Sequence, residues 1–201
     1  MTKIIENIVP FNKKKKYTDR LVFTPGIWIN GKTYWLKNRR ESFLISEGIS
    51  VSIKHKSTHS KINFFDIFVS NHWKEERQVK LLMMYHHNHM KEHFSFVSPV
   101  ERLIYHMADG MIYLVNGLHN GKSFNHYTIQ PRWNITKNII WECQEKGILN
   151  YMPMLKGSAA SIYTFDLNLH SRGTQTCSSW SIIGNNKIEL NELNNRLLKT
   201  Y

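Results

Sequence analysis

The stretch Val79–Gly117, VKLLMMYHHNHMKEHFSFVSPVERLIYHMADGMIYLVNG, decides the fold. Short runs rich in β-branched, aromatic and methionine residues alternate with turn chemistry, which predicts four consecutive strands over about 79–87, 93–98, 101–106 and 111–115. Asp109-Gly110 supplies a hairpin turn, because both residues tolerate the positive φ that two-residue turns require. The turns between these strands would carry five histidines: His86, His87, His89, His93 and His106.

The same grammar extends in both directions. Before this stretch, Leu21–Lys37 predicts strands over about 20–24, 26–30 and 33–37 around Pro25-Gly26 and Asn30-Gly31. Phe43–Ser46 and Ile49–Ile53 continue the series, and the polar segment KHKSTHSK, 54–61, reads as a long hairpin loop. Its return strand, Ile62–Ser70, is apolar on both alternating sets except at Asp66, so it should be covered on both faces. After the central stretch, Asn116-Gly117 and Asn120-Gly121 are turn signals, and Ser123–Trp133 gives a strand ended by Pro131. Ile135–Gln144 reads as a strand, the segment around Pro153 as an edge, Ala159–Leu169 as a half-exposed strand, and Ser178–Ile183 as the last strand.

Only the C-terminus reads as helical. Asn186 and Glu189 resemble a capping box, and Leu190, Leu193 and Leu197 recur at helical spacing over 186–200. About a dozen short strands with almost no helix predict an all-β fold: a large two-sheet antiparallel β-sandwich with a short C-terminal helix. A chain of 201 residues suits one such domain over 1–201, with residues 1–18 as an N-terminal arm.

Composition bounds the partners. Lys and Arg outnumber Asp and Glu by 27 to 15, for a formal charge of +12. That balance attracts anions: nucleic acid, phosphorylated metabolites or acidic glycans. The basic elements are Lys13, Lys14, Lys15 and Lys16, then Arg39 with Arg40, and Lys54 with Lys56; interleaved with aromatics, they would support sequence-independent polyanion binding or assembly. The opening residues lack a secretory pattern and no run reaches the length of a membrane span, so a cytoplasmic protein without membrane insertion is expected. Cys143 and Cys177 give no disulfide framework. A phosphate-binding glycine loop, a CxxC pair and a GxSxG elbow are all absent from the sequence.

Three patterns could carry chemistry. His87 and His89 would share a strand face, with Glu92 following, which suits a divalent transition metal held by two imidazoles and a carboxylate. This resembles the first motif of the cupin family, and by that resemblance His87, His89 and Glu92 would be metal ligands. The competing reading is a solvated polar hairpin tip, and the two are separated by whether His106 or His126 meets the pair. Asn125, His126 and Tyr127 resemble the Asn-His-aromatic run of aldose-epimerase-like (mutarotase-like) sandwiches, which would make His126 a catalytic acid for a sugar ring oxygen. Trp133, Arg132 and Gln130, and Trp35 with Arg39, form candidate sugar-binding surfaces. Cys177 with His170 is a further thiol and base pair to weigh.

The function expected from these residues is a ligand-binding sandwich whose ligand is a carbohydrate or another polyhydroxy or anionic small molecule. A His-based enzyme and a polyanion-binding module are the alternatives. Edge strands leave a homodimer open.

Overall fold

A computed structural model describes residues 21–37, 40–88 and 93–201. Its strands, in chain order, are β1 (Val22–Ile29), β2 (Lys32–Trp35), β3 (Glu41–Leu44), β4 (Ile49–His59), β5 (Ile62–Asn71), β6 (Arg77–His86), β7 (Phe94–Ser98) and β8 (Leu103–Ala108). There follow β9 (Met111–His119), β10 (His126–Pro131), β11 (Trp141–Cys143), β12 (Ile148–Leu149), β13 (Met154–Lys156), β14 (Ala159–Leu169) and β15 (Thr174–Gly184). Helix α1 spans Arg132–Thr136 and α2 spans Lys187–Thr200. The predicted all-β sandwich with a C-terminal helix is the observed fold. Among the described residues, no helix is long and apolar enough to cross a membrane.

Two antiparallel sheets face each other. One has five strands in the order β10-β14-β6-β1-β2, the other eight in the order β13-β7-β8-β9-β15-β5-β4-β3. Ile27, Val51, Ile67, Leu81, Ile104, Val115 and Phe165 are among the buried residues of the core between them. Each sheet also has a covered outer face. On the larger sheet, Leu190, Leu193 and Leu197 of α2 pack with Phe64, Leu114 and Trp180. On the smaller, Ile135 of α1 and Trp141 of β11 pack with Leu82, Met84 and Ile162.

These layers explain the strand patterns. On β5, Phe65, Ile67 and Val69 belong with the inter-sheet core, while Phe64 stacks on Trp180 with ring centroids 5.7 Å apart. Asp66 is satisfied on the outer side by Ser178 Oγ, which donates at 2.9 Å, and by Lys56 Nζ at 2.5 Å. The half-exposed reading of β14 holds only for its second half. Ala159–Phe165 is buried throughout, because β11, β12 and α1 cover the outer face there, and only Asp166 and Asn168 are exposed.

Three further expectations are corrected. The four central strands are not one meander: β6 lies in the five-stranded sheet, whereas β7, β8 and β9 are neighbours in the other. Ile135–Gln144 is not a continuous strand, since Pro131 opens the short helix α1 and only Trp141–Cys143 is extended. At α2 the Asn186 side chain accepts from Ile188 N–H at 2.9 Å, but the Glu189 carboxylate pairs with Lys61 instead of closing a capping box. Pro153 does precede an edge: β13 is the terminal strand of the larger sheet.

A polar seam crosses the core. Tyr163 Oη donates to Asn116 O at 3.0 Å and lies 2.5 Å from Ser179 Oγ, which is 2.6 Å from Tyr85 Oη. With Tyr163 committed as donor to the carbonyl, Ser179 donates to Tyr163 and accepts from Tyr85, so every hydroxyl in the chain is used. Burial raises the pKa of both phenols, which keeps them neutral donors. Gly117 permits the approach: a Cβ there would lie 2.6 Å from Tyr163 Oη and 2.7 Å from Ser178 O.

Candidate functional site

The β7–β8 hairpin has a chemically distinct cluster at each end. At the end where β7 begins and β8 finishes, the histidines gather. His87, His93 and His106 are all buried. Their ring centroids are 5.1 Å apart for His87–His93, 5.9 Å for His87–His106 and 6.3 Å for His93–His106, and His87 packs edge-on against Tyr113 at 4.7 Å. The reading of a solvated hairpin tip is therefore corrected for His87 and His93: β6 and β7 lie in opposite sheets, and these two flanking histidines are packed between the sheets.

The local bonds fix how these rings behave. His106 Nδ1 lies 2.8 Å from Ser95 Oγ on its own sheet, and its Nε2 lies 2.8 Å from Ser161 Oγ on the facing sheet. A neutral imidazole satisfies both, donating from one nitrogen and accepting at the other. His93 Nε2 sits 3.1 Å from Ala159 N, whose N–H it can accept. Neither ring nitrogen of His87 has a hydrogen-bond partner among the described residues. Burial first, then the neighbouring His93 and His86, lowers the pKa of His87 to about 4, with Asp109 opposing. Burial and the same neighbourhood hold His106 well below 6.5. His87 and His106 are neutral at pH 7.

His106 does meet His87, as the metal reading requires, but both of its nitrogens are engaged by serines. His89 and Glu92 lie outside the described residues, and among those described no three His, Cys, Asp or Glu side chains are grouped to hold an ion. His126 is elsewhere. It pairs with Thr164 on β14, three residues from Ser161, and an odd offset along a strand means the opposite face. It is exposed on the outer side, and its side chain makes no hydrogen bond among the described residues. Its neighbour Asn125 uses its Oδ1 to accept from Asp166 N–H at 3.0 Å.

The other end of the hairpin is open and basic. Pro99, Arg102, Lys122, Ser123, Phe124, Asn125 and Tyr127 line a concavity of about 600 Å³. It is built by turns: Arg102 at φ 52° closes the β7–β8 connection, and Asn120 at φ 51° with Gly121 at φ 70° turns the chain after β9. No acidic side chain lines it, and neither Arg102 nor Lys122 has a carboxylate partner among the described residues. Tyr127 is flanked edge-on by Phe124 at 5.7 Å and by the exposed Tyr151 at 5.9 Å. Its pKa is raised by burial and by Tyr151, with Arg102 opposing. Sequence reading singled out Asn125 and Tyr127 beside His126 but missed Lys122 and Arg102; the Asn120-Gly121 turn signals the bend that carries Lys122, but nothing in the sequence places Arg102 beside it.

The residues expected to bind sugar are dispersed. Trp133 is 58% exposed and carries Lys137 Nζ at 5.6 Å from its ring centroid. Gln130 is fully buried, where its amide donates to Thr128 Oγ1 and Asn150 O and its carbonyl accepts from Asn134 Nδ2. Arg132 donates to His87 O at 3.2 Å and Asn88 O at 3.3 Å, bracing the histidine end. Trp35 packs with Trp28 and Trp141 on the outer face of the smaller sheet. Arg39 and Lys13–Lys16 lie outside the described residues. Lys56 is engaged by Asp66, while Arg40 and Lys54 share the lining of a separate concavity. Cys177 is buried, which raises its pKa, and His170 bonds Glu76, so the two form no nucleophile and base pair.

No protein-family model matches the chain, and no curated protein matches it. Among solved structures it is similar to a protein assigned as a kojibiose phosphorylase from the human microbiome, at 11% identity and a TM-score of 0.39. The match covers 88% of this chain and 24% of that one, so the chain spans about a quarter of that protein's length. A likeness this distant assigns neither activity nor substrate.

Proposed function

We propose that the protein binds a small anionic polyhydroxy ligand, a sugar acid or sugar phosphate, in the concavity of Arg102, Lys122, Asn125 and Tyr127. One observation carries the reading: two cations without carboxylate partners among the described residues line, with a tyrosine, an acid-free hollow of about 600 Å³. Guanidinium and ammonium groups suit a phosphate or carboxylate, and the Asn125 amide suits hydroxyls. The ring of Tyr127 offers an apolar face for a sugar's C–H surface. Burial of that ring against Phe124 keeps it fixed, so little ordering remains when a ligand arrives.

The test is a calorimetric titration with glucose 6-phosphate, glucose and inorganic phosphate. Glucose 6-phosphate is expected to bind tightest, and Arg102→Ala with Lys122→Ala to weaken it by about tenfold or more, since a charge-assisted contact is worth over 1 kcal/mol. Equal affinity for the parent and the double variant would overturn the assignment.

A further inference from the structure

A second concavity of different character lies where the sheets part between β1 and β4–β5. Phe23, Pro25, Leu36, Arg40, Ile53, Lys54, His55 and Phe65 line a concavity of about 480 Å³ there. Its floor is apolar and aromatic. Phe23 stacks on Phe65 with centroids 4.5 Å apart at 26°, and Phe65 is followed by His55 at 5.0 Å and 32°. The rings form a graded stack that starts in the core, where Phe23 meets Tyr85 at 5.0 Å, and ends at the exposed imidazole.

The cation on this hollow contrasts with its neighbours. Lys56 is ion-paired with Asp66 and lies 5.4 Å and 5.0 Å from the Phe64 and Tyr201 ring centroids, so it serves the packing of α2. Arg40 is exposed and has no carboxylate partner among the described residues, and no acid lines the hollow, whereas Lys54 stands opposite Asp66 in the β4–β5 register and so projects from the other face of the sheet. His55 Nε2 is 3.2 Å from Asn63 Oδ1, which holds the ring in place.

We propose that this hollow binds a planar aromatic ring bearing a phosphate, the chemistry of a nucleotide either free or within a single strand. The base adds to the Phe23–Phe65–His55 series, and the phosphate meets Arg40. A bare phosphate would leave the rings of that floor uncovered.

Titrations followed by backbone amide chemical shifts, with thymidine monophosphate, thymidine, inorganic phosphate, decanoate and a short oligothymidylate, decide the matter. Thymidine monophosphate should bind about tenfold or more tightly than thymidine or phosphate, and shift amides of β4 and β5. Arg40→Ala should cost about tenfold in that affinity while leaving the melting temperature within a degree or two, the residue being exposed. Phosphate or decanoate binding as tightly as the nucleotide, or an Arg40→Ala variant that binds like the parent, would overturn the proposal. Oligothymidylate binding with a steeper salt slope than the mononucleotide identifies a strand as the source, and equal slopes identify the free nucleotide. Arg102→Ala with Lys122→Ala should leave these affinities unchanged, which separates this site from the first.

Discussion

The two ends of the β7–β8 hairpin share strands and differ in how they handle positive charge. At the histidine end three imidazoles are packed between the sheets, each able to shed its proton. At the other end Arg102 and Lys122 stay at the surface, because a guanidinium cannot be neutralised and an ammonium is costly to bury. The difference teaches which basic residues are available to a ligand. Histidines at 0–4% exposure are structural members of the core, whereas exposed cations at a turn, without carboxylate partners among the described residues, are open to an anion.

Acid should break the histidine end first and most. In the unfolded chain each imidazole takes a proton near pH 6.5, while His87 resists until about pH 4. The unfolded state then binds more protons, so stability is fully present above pH 6.5 and falls as the pH drops toward 4. His87 alone accounts for about 3 kcal/mol over that window, and His106 adds to it. Urea titrations at pH 7.5 and pH 5 measure the loss, and a midpoint that does not move between them would refute burial of the neutral cluster.

Next in size is His106→Ala. It removes a fully buried ring and leaves the hydroxyls of Ser95 and Ser161 without their shared partner, for an expected loss of about 3 kcal/mol at pH 7.5. A loss under about 1 kcal/mol would mean that the sheets are not joined there. His87→Leu should act in the opposite direction. Replacing an imidazole whose nitrogens find no partner among the described residues should raise stability by about 1–2 kcal/mol and flatten the acid dependence. Destabilisation by this change would instead reveal that His87 holds a group of its own.

The smallest effect on folding belongs to the basic end. Arg102→Ala with Lys122→Ala should shift stability by less than about 0.5 kcal/mol, since neither side chain is ion-paired among the described residues, while weakening sugar phosphate binding. Thermal melts of this double variant beside His106→Ala put the comparison to its sharpest test: one end should respond in stability, the other in binding.

How much of this was legible can be followed residue by residue. The hairpin pairs Asn30-Gly31 and Asp109-Gly110 and the doubly apolar Ile62–Ser70 run each report on local or facing chemistry, and each is matched by β1–β2, β8–β9 and the two-sided burial of β5. The histidines misled because polarity in a short segment marks a turn equally well whether it faces water or the gap between sheets. Gln130 and Arg132 misled for a related reason: donors and acceptors suited to a sugar were suited to Asn134, Thr128 and two backbone carbonyls. Arg102 and Lys122 escaped notice because 19 positions of strand and turn separate them along the chain.

By itself, the sequence determined that the chain would form short antiparallel strands closed by a helix, since alternation, β-branched runs, turn pairs and helical spacing are local properties. Only the tertiary structure decided which sheet each strand joined, and therefore which face of each side chain met solvent. Strand β6 and strand β7 are neighbours in sequence but belong to opposite sheets, and that single crossing buried His87 beside His106. The hydrophobic effect sets the fate of an apolar residue almost anywhere in the chain, but the fate of an imidazole or guanidinium depends on which partners fold against it.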